Sequence, residues 1–263
     1  MSLLPTTKAE ELPAGTTCDG FLGGRLQILQ PSKGHRAGSD AVLLQAAIPE
    51  TARGKALDAG AGVGVASLCL AARAPRLHVT AVEIDASLCA LAERNAAANG
   101  LAKRVAIVNA DVTASRLAAK GIEPDSYDDV LANPPYHASG KVCAAPDDGK
   151  VLAHVMPEGA LLAWVKFLAR VTAPKGRLTL IHVPQSLPEL LPAIEKRFGD
   201  IVLYPLFPRA GEAAHRIILQ ARKGSRRGLR FLPGLVLHNA DGTYTPEAEG
   251  ALREGKGLNL TTE

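Results

Sequence analysis

Two hydrophobic periodicities follow one another along the chain: short apolar runs typical of strands, and longer runs typical of amphipathic helices. The strand-like runs lie at 55–60, 77–82, 104–108, 127–132 and 177–183. The helix-like segments lie at about 65–73, 86–98, 157–171 and 187–198. Strands that alternate with helices are typical of an α/β protein with a mostly parallel sheet. The pattern therefore predicts an open sheet with helices on both faces.

Two later apolar runs, at 201–207 and 215–221, have no helix between them. They predict an antiparallel hairpin at the edge of the sheet. Residues 20–30 alternate apolar and polar positions around a Gly-Gly turn. This alternation predicts a separate hairpin before the sheet begins. Ser39 or Asp40 is placed to cap the helix that follows.

These elements predict one domain with short additions at both ends. Residues 1–48 form an N-terminal extension whose hairpin and helix pack on the core. Residues 49–224 form the core itself. Residues 225–263 form a C-terminal appendage of the same domain.

Composition is that of an ordinary globular protein, with 47% hydrophobic and 21% charged residues among 263. The four cysteines are widely spaced. This spacing predicts reduced thiols rather than a disulfide framework or a zinc site. The first residues lack the apolar stretch of a signal peptide, and no segment is apolar enough to span a bilayer. We expect a cytoplasmic protein with no membrane partner.

Positive charge is concentrated between residues 209 and 230. Seven cations stand there against one acid, Glu212: Arg209, Arg216, Arg222, Lys223, Arg226, Arg227 and Arg230. A basic segment of this kind predicts a surface that holds phosphates. The alternative is a solvated basic loop that mainly aids solubility.

A glycine-rich loop directly follows the first core strand, in the sequence Asp58-Ala59-Gly60-Ala61-Gly62-Val63-Gly64. Gly60, Gly62 and Gly64 allow backbone N–H groups to approach a ligand at a helix N-terminus. The dinucleotide fingerprint needs its third glycine one position later, where the chain has Val65. Asp58 is placed to order the loop or to meet an ammonium group. By itself such a loop is also compatible with an ordinary turn.

Polar side chains stand at the ends of the next strands as well. Glu83 ends the second strand, where a carboxylate can accept both hydroxyls of a ribose. Asp85, two residues later, is better explained as the cap of the helix 86–98. Asp111 follows the third strand, where it can meet an adenine amino group or cap the following turn. Ligands of open parallel sheets bind outside the carboxyl ends of the strands, so these ends predict one site.

The fourth strand ends in Asn133-Pro134-Pro135-Tyr136. The carboxamide of Asn133 and the carbonyl of Pro134 can each accept one N–H of a planar NH2 group and aim its lone pair outward. Pro134 and Pro135 stiffen this arrangement. Tyr136 offers a ring on which a planar substrate can stack. The four residues predict a cradle for a weakly nucleophilic nitrogen.

Residues 137–156 have no clear period and predict a loop beside this cradle. His137 and His154 are interpreted as polar loop residues. We expect no metal in the site.

Taken in order, these motifs resemble those of class I S-adenosylmethionine-dependent methyltransferases. The resemblance implies a seven-stranded, mostly parallel Rossmann-like sheet with an antiparallel last strand. It also implies that the glycine loop and Asp58 bind the methionine part of S-adenosylmethionine, Glu83 the ribose and Asp111 the adenine.

Residues 22–26 and 34–44 resemble more narrowly the bacterial tRNA(Val) adenine-N6-methyltransferase family, which methylates the adenine next to the anticodon. The resemblance implies that Arg36 and Asp40 line the methionine end of the cofactor, and that the partner is tRNA or another RNA. An aromatic residue is common after the cradle in that family, where this chain has His137.

Two other functions stay open on the sequence. A protein glutamine N5-methyltransferase meets the same electronic problem and shares Asn-Pro-Pro-Tyr. That family normally carries a helical domain ahead of the glycine loop, and the stretch before Asp58 is short for one. A non-catalytic RNA-binding protein on a methyltransferase scaffold is the second, and the intact Asn133 argues against it.

Overall fold

In the part of the chain that the structure describes, a mixed sheet of nine strands forms the centre of the protein. The computed structural model describes residues 12–34, 36–114, 117–135 and 159–260. The strands are β1 (Thr16–Phe21), β2 (Leu26–Pro31), β3 (Arg53–Ala59), β4 (Arg76–Glu83), β5 (Val105–Asn109), β6 (Tyr127–Ala132), β7 (Thr172–His182), β8 (Phe198–Arg209), β9 (Arg216–Lys223), β10 (Arg230–Phe231) and β11 (Leu235–His238). The helices are α1 (Ser39–Ala46), α2 (Val65–Arg73), α3 (Ala86–Ala98), α4 (Ala160–Val171), α5 (Leu187–Glu195) and α6 (Pro246–Glu249). Short 3-10 turns occupy Ala118–Lys120 and Pro184–Ser186, and a π-helical turn, Gly250–Glu254, continues α6.

Seven strands of the sheet follow the order β5-β4-β3-β6-β7-β9-β8. All of these are parallel to one another except β9, which is antiparallel to both β7 and β8. The predicted Rossmann-like sheet with an antiparallel last strand is therefore confirmed. The strands β10 and β11 extend it by pairing in parallel with β8, which gives nine strands.

The sheet separates two hydrophobic clusters, as the prediction of helices on both faces requires. One cluster packs α1, α2 and α3 together with residues of the hairpin β1–β2 and of the C-terminal appendage. The other packs α4 and α5 against the opposite face. Trp164 and Phe167 belong to the second cluster, as expected for core residues of α4.

The hairpin β1–β2 forms a sheet of its own and is fixed to α3 by two asparagine side chains. Asn95 accepts a hydrogen bond from the N–H of Leu29 at 2.8 Å and donates to its carbonyl at 3.0 Å. Asn99, one turn later, does the same with Gln27, at 3.0 and 2.8 Å. The two carboxamides thus satisfy the outer edge of β2 as a neighbouring strand would, which stabilises an otherwise open edge.

The N-terminal extension and the C-terminal appendage interlock on the same face of the sheet. A Cβ at Gly23 would lie 2.8 Å from the carbonyl oxygen of Arg253, and one at Gly255 would lie 2.5 Å from the guanidinium of Arg25. The N–H of Leu258 donates to the carbonyl of Ala46 at 2.8 Å. The two segments therefore pack against each other in one layer on this face of the sheet.

Several elements differ from the expectation. The helix α5 ends at Glu195, and Phe198 already begins β8. The N-cap of α1 is Gly38, so Ser39 and Asp40 lie inside the first turn, where the Asp40 carboxylate binds Arg216 at 2.8 Å instead of capping the helix. The strand β7 begins at Thr172 because Thr172 pairs with Tyr127 before the main run at Arg177. The strand β10 is a single pair of residues, which is too short for a periodicity to reveal.

Candidate active site

Four strand ends meet side by side at one edge of the sheet. Ala59 of β3 pairs with Val82 of β4 and with Ala132 of β6, and Glu83 pairs with Asn109 at the end of β5. The residues that follow these strands therefore share one crevice. The glycine loop 60–64, Glu83, Asp111 and Asn133 all stand at these strand ends, on the same side of the sheet.

The glycine loop passes directly over α4. Gly60 has φ of 71°, in the left-handed region that favours glycine. A Cβ at this position would lie 2.7 Å from Cη2 of Trp164. The indole thus explains why Gly60 admits no side chain. At Gly62, by contrast, an added Cβ would meet nothing within 4 Å, so the middle of the loop faces open space.

Glu83 joins the glycine loop to the end of β4. Its Oε2 accepts the N–H of Gly62 at 2.8 Å, and its Oε1 accepts the N–H of Asp85 at 2.9 Å. Glu83 is 8% exposed, so its remaining lone pairs can reach a ligand only from the crevice. Asp85 caps α3 as predicted, accepting from the N–H groups of Ser87 and Leu88.

Asp58 is buried beneath the loop, with 2% of its surface exposed. The hydroxyl of Ser67 in α2 donates to its Oδ2 at 2.7 Å. The pKa of Asp58 is raised to about 6, mainly by burial and to a smaller extent by the charge of Glu83, against the lowering effect of the Ser67 hydrogen bonds. A cation that enters the crevice beside this carboxyl favours its charged form.

The structure reveals a third anchor of the loop that the sequence analysis missed. The Nδ2 of Asn95, which also binds Leu29, donates to the carbonyl of Val63 at 3.0 Å. Asn95 is fully buried. A pair of asparagines one turn apart, Asn95 inside α3 and Asn99 at its C-cap, is the signal that could have indicated a helix that binds backbone groups.

Asp111 and Asn109 shape the end of β5. The Oδ1 of Asp111 accepts the N–H of Thr113 at 2.7 Å and its hydroxyl at 2.6 Å, so this carboxylate orders its own turn. Asn109 donates to the carbonyls of Glu83 and Ile84, at 3.1 and 2.8 Å, and thereby ties β5 to the residue after β4. Asp111 is half-buried, with one carboxylate oxygen engaged in these bonds.

The acceptor cradle directly follows β6. Asn133 is half-buried, Pro134 is buried and Pro135 is exposed at the end of the described segment. The register of Ala132 with Ala59 places Asn133 beside the start of the glycine loop. Tyr136 lies outside the described residues, as do His137, His154 and the rest of the predicted loop 137–156.

Arg36 and Asp40 have protein partners. The guanidinium of Arg36 donates to Asp19 Oδ2 at 2.5 Å, to Thr17 Oγ1 at 2.8 Å and to the carbonyl of Pro31 at 2.9 Å. These bonds tie the segment after the hairpin to β1 and β2. Asp40 accepts from Arg216 at the start of β9, which joins α1 to the sheet. A role for Arg36 and Asp40 at the cofactor stays a prediction.

The basic segment is divided between two edges of the sheet, because β9 crosses it. Arg216 begins β9 at the edge that carries the crevice, and Arg209 ends β8 at the same edge. Arg222 and Lys223 end β9 at the opposite edge, where Arg222 pairs with Arg177 and Lys223 with Phe198. Arg226 and Arg227 follow there, since the carbonyl of Arg227 accepts from Asp200 near the start of β8. The six predicted RNA-binding residues therefore do not form one surface.

Within the described ranges, no three His, Cys, Asp or Glu side chains are grouped so that they could hold a metal ion. No helix in the part of the chain that the structure covers is both long and apolar enough to cross a membrane. Cys18, Cys69 and Cys89 are free thiols, and Cys143 lies outside the described residues.

Sheet order, glycine loop and the acids at the strand ends define a class I S-adenosylmethionine-dependent methyltransferase. A family model described as methyltransferase small domain matches residues 35–146. The chain is 31% identical over 216 residues to a tRNA1(Val) (adenine(37)-N6)-methyltransferase of Aeromonas hydrophila, which covers 80% of this chain and 85% of the relative. It is 31% identical over 236 residues to the protein of the same name from Porphyromonas gingivalis, covering 87% and 91%. The chain belongs to this tRNA1(Val) (adenine(37)-N6)-methyltransferase family.

A solved structure supports the fold. A predicted O-methyltransferase from Agrobacterium tumefaciens superimposes with a TM-score of 0.70 and is 27% identical, covering 83% of this chain and 98% of that one. Its name refers to methylation of oxygen.

Proposed function

We propose that this protein transfers the methyl group of S-adenosylmethionine to N6 of an adenine in tRNA, next to the anticodon. The observation that carries the proposal is the register of β3 with β6, which sets Asn133-Pro134-Pro135 beside the glycine loop. The names of the Aeromonas and Porphyromonas relatives supply the substrate. A tRNA substrate also supports the predicted cytoplasmic location.

The residues of the crevice fit the chemistry of S-adenosylmethionine, part by part. Glu83 presents a buried carboxylate to a ribose, whose two hydroxyls are donors. Asp111 can accept from the adenine amino group. Asp58 lies under the loop, where an ammonium group favours its charged form, and the open space at Gly62 leaves room for the ligand. We call this set, with the glycine loop, the cofactor side.

We call Asn133, Pro134 and Pro135 the acceptor side. A bound S-adenosylmethionine supplies an electrophilic methyl group. The Asn133 carboxamide oxygen and the Pro134 carbonyl each accept one N–H of the adenine amine, so that its lone pair points toward the methyl group rather than into the ring. Proximity and orientation provide most of the rate enhancement. After transfer the amine loses a proton to water, so no strong general base is required. Tyr136 stacks on the base, and the adenine must leave its own stack to enter.

Arg209 and Arg216 lie on the edge of the sheet that carries the crevice, where they can hold phosphates next to the target nucleotide. Arg209 is 52% exposed in its side chain and forms a long ion pair with Glu212, at 3.6 Å. Such an exposed ion pair contributes little to stability, so Arg209 can exchange Glu212 for a phosphate group.

The test is incubation with labelled S-adenosylmethionine and unmodified bulk tRNA, followed by mass spectrometry of the nucleosides. We expect N6-methyladenosine in the tRNA. Label in a 2′-O-methyl nucleoside would point to oxygen as the acceptor. Label recovered in added protein instead of RNA would support the glutamine N5-methyltransferase alternative, and RNA binding without any transfer would support the non-catalytic alternative.

A further inference from the structure

A groove of about 580 Å³ opens at the edge of the sheet opposite the crevice. We call it the far groove. It lies between the end of α4, the start of β7, the end of α5 and the end of β9, and four cations and one acid line it: Arg170, Lys175, Arg197, Lys223 and Asp125. The basic residues thus come from four separate segments, so only the folded chain brings them together.

Lys223 stabilises the wall of the groove rather than binding a ligand in it. Its Nζ donates to Asp125 Oδ1 at 2.6 Å, to the carbonyl of Ala169 at 2.5 Å and to that of Thr172 at 2.6 Å. These bonds satisfy carbonyls at the C-terminus of α4 and neutralise the acid of the lining. The charge of the other three cations is therefore not compensated from within the groove.

Arg170, Lys175 and Arg197 are all exposed. Among the residues that the structure describes, none of the three has an acidic side chain within ion-pair distance. Three cations of one sign around a concave surface attract phosphate groups, because the field of each adds to that of the others.

Lys175 occupies a backbone conformation that disfavours lysine. Its φ is 65°, in the left-handed region that glycine adopts without a steric penalty. Its carbonyl is held by the guanidinium of Arg222 at 3.1 Å. Lys175 is one of four described non-glycine residues with a positive φ, together with Leu22, Asp125 and Asp200.

The far groove and the acceptor side lie at opposite ends of β6, because Asp125 precedes this strand and Asn133 follows it. The chain between Asp125 and Asn133 spans at most about 26 Å at the usual rise per residue. A nucleic-acid duplex covers that distance in about eight base-pair steps. A folded tRNA reaches both edges, whereas an isolated anticodon stem-loop offers fewer backbone phosphates at that distance.

We propose that the far groove is a second RNA-contact surface, which binds backbone phosphates of the tRNA far from the methylated adenine. The inference rests on the proposed function, because it assumes an RNA substrate that enters the crevice. It makes recognition of the substrate bipartite: the crevice selects the adenine, and the far groove selects an RNA large enough to extend to the other edge.

The test compares the binding of two RNAs to the full-length protein by fluorescence anisotropy: a complete tRNA transcript and its isolated anticodon stem-loop. In the triple variant R170Q/K175G/R197Q we expect the Kd for the complete tRNA to rise about tenfold, with a smaller dependence on salt, while the Kd for the stem-loop stays unchanged. R94Q, which removes one exposed cation from α3 on the other face, is the matched control and should leave both affinities unchanged.

The single variant K175G separates binding from folding. Glycine adopts the left-handed conformation of this position freely, so the thermal unfolding midpoint should be no lower than that of the parent protein while the affinity for complete tRNA falls. Three results would each overturn the inference. The variants could lose affinity equally for both RNAs, they could lose affinity for neither RNA, or the parent protein could bind the complete tRNA no more tightly than the stem-loop. Saturable binding of inorganic phosphate in the groove without any effect on the affinity for complete tRNA would also contradict the inference.

A failure of the proposed function can be distinguished from a failure of this inference. If the parent protein methylates no tRNA, the catalytic assignment is lost, whereas the anisotropy measurements still decide whether the far groove contacts RNA.

Discussion

The cofactor side and the acceptor side of the crevice keep their shapes by different means. The glycine loop is fixed by hydrogen bonds to distant parts of the chain: Gly62 to Glu83 of β4, and Val63 to Asn95 of α3. The acceptor side is a continuation of β6 whose stiffness comes from two consecutive prolines. One side therefore depends on tertiary structure, and the other largely on local covalent geometry. This difference implies that mutations should separate cofactor binding from methyl transfer.

The largest effect is expected on the acceptor side. In Asn133→Ala the amine loses one of its two acceptors, so kcat for tRNA methylation should fall about 10²- to 10³-fold. The affinity for S-adenosylmethionine, measured by isothermal titration calorimetry, should remain within about twofold, since Glu83 and Asn95 still anchor the glycine loop. A comparable loss of cofactor affinity would show that the two sides are not separable.

Asn95→Ala should affect the cofactor side through the fold. The substitution leaves the N–H and carbonyl of Leu29 and the carbonyl of Val63 without their partner, at a cost of about 3 kcal/mol in the free energy of unfolding. Asn99→Ala is the matched control, because Asn99 binds the same strand at Gln27 and lies one turn beyond the residue that holds the glycine loop. Chemical denaturation gives the stability, and calorimetry gives the cofactor affinity. Only Asn95→Ala should lower the affinity for S-adenosylmethionine. If Asn95→Ala and Asn99→Ala lower it equally, the loss comes from the hairpin β1–β2 and not from the contact with the glycine loop.

Asp58→Asn tests the buried carboxyl by its pH dependence. The folded-state pKa of about 6 lies above the ordinary value of about 3.9 in unfolded chains, so folding favours the protonated form. The stability from this group is present below pH 4 and is lost as the pH rises through 6. The asparagine variant should therefore be more stable than the parent protein by about 3 kcal/mol at pH 8 and equal to it near pH 4. Denaturation curves at both pH values measure this. A constant difference across the range would rule out titration of Asp58 as its cause.

Glu83→Gln should have the smallest effect of the four. The new amide keeps one acceptor oxygen but replaces the other with a donor, so it cannot accept from both Gly62 and Asp85. We expect the Kd for S-adenosylmethionine to rise about tenfold, with kcat at saturating cofactor nearly unchanged. Steady-state kinetics at varied concentrations of S-adenosylmethionine distinguish an effect on cofactor binding from an effect on kcat. A fall in kcat alone would mean that Glu83 acts on the acceptor side.

The acceptor side and the carboxylates at the strand ends could be predicted because each depends on adjacent residues. The motif at Asn133 is one short peptide, and Glu83 directly ends an apolar run. The role of Asn95 could not be predicted, since it requires knowing that β2 lies against α3. Trp164 was predicted as a core residue and is one, but its contact with Gly60 depends on how α4 crosses the end of β3.

The positively charged surface could also not be predicted from the sequence alone. Counting cations from 209 to 230 predicts one phosphate-binding surface, but the strand β9 carries Arg216 and Lys223 to opposite edges of the sheet. Lys223 is then used to satisfy carbonyls of α4. Arg170 and Arg197, which line the far groove, lie outside the segment altogether. A linear count cannot show which cations the fold leaves uncompensated.

The interlock of the N-terminal extension with the C-terminal appendage sets an order for biosynthesis. The hairpin and α1 leave the ribosome early, but Arg253, Gly255 and Leu258, which pack against them, are made much later. The layer that supports α3, and through Asn95 the glycine loop, is therefore completed only after the whole sheet has been synthesised.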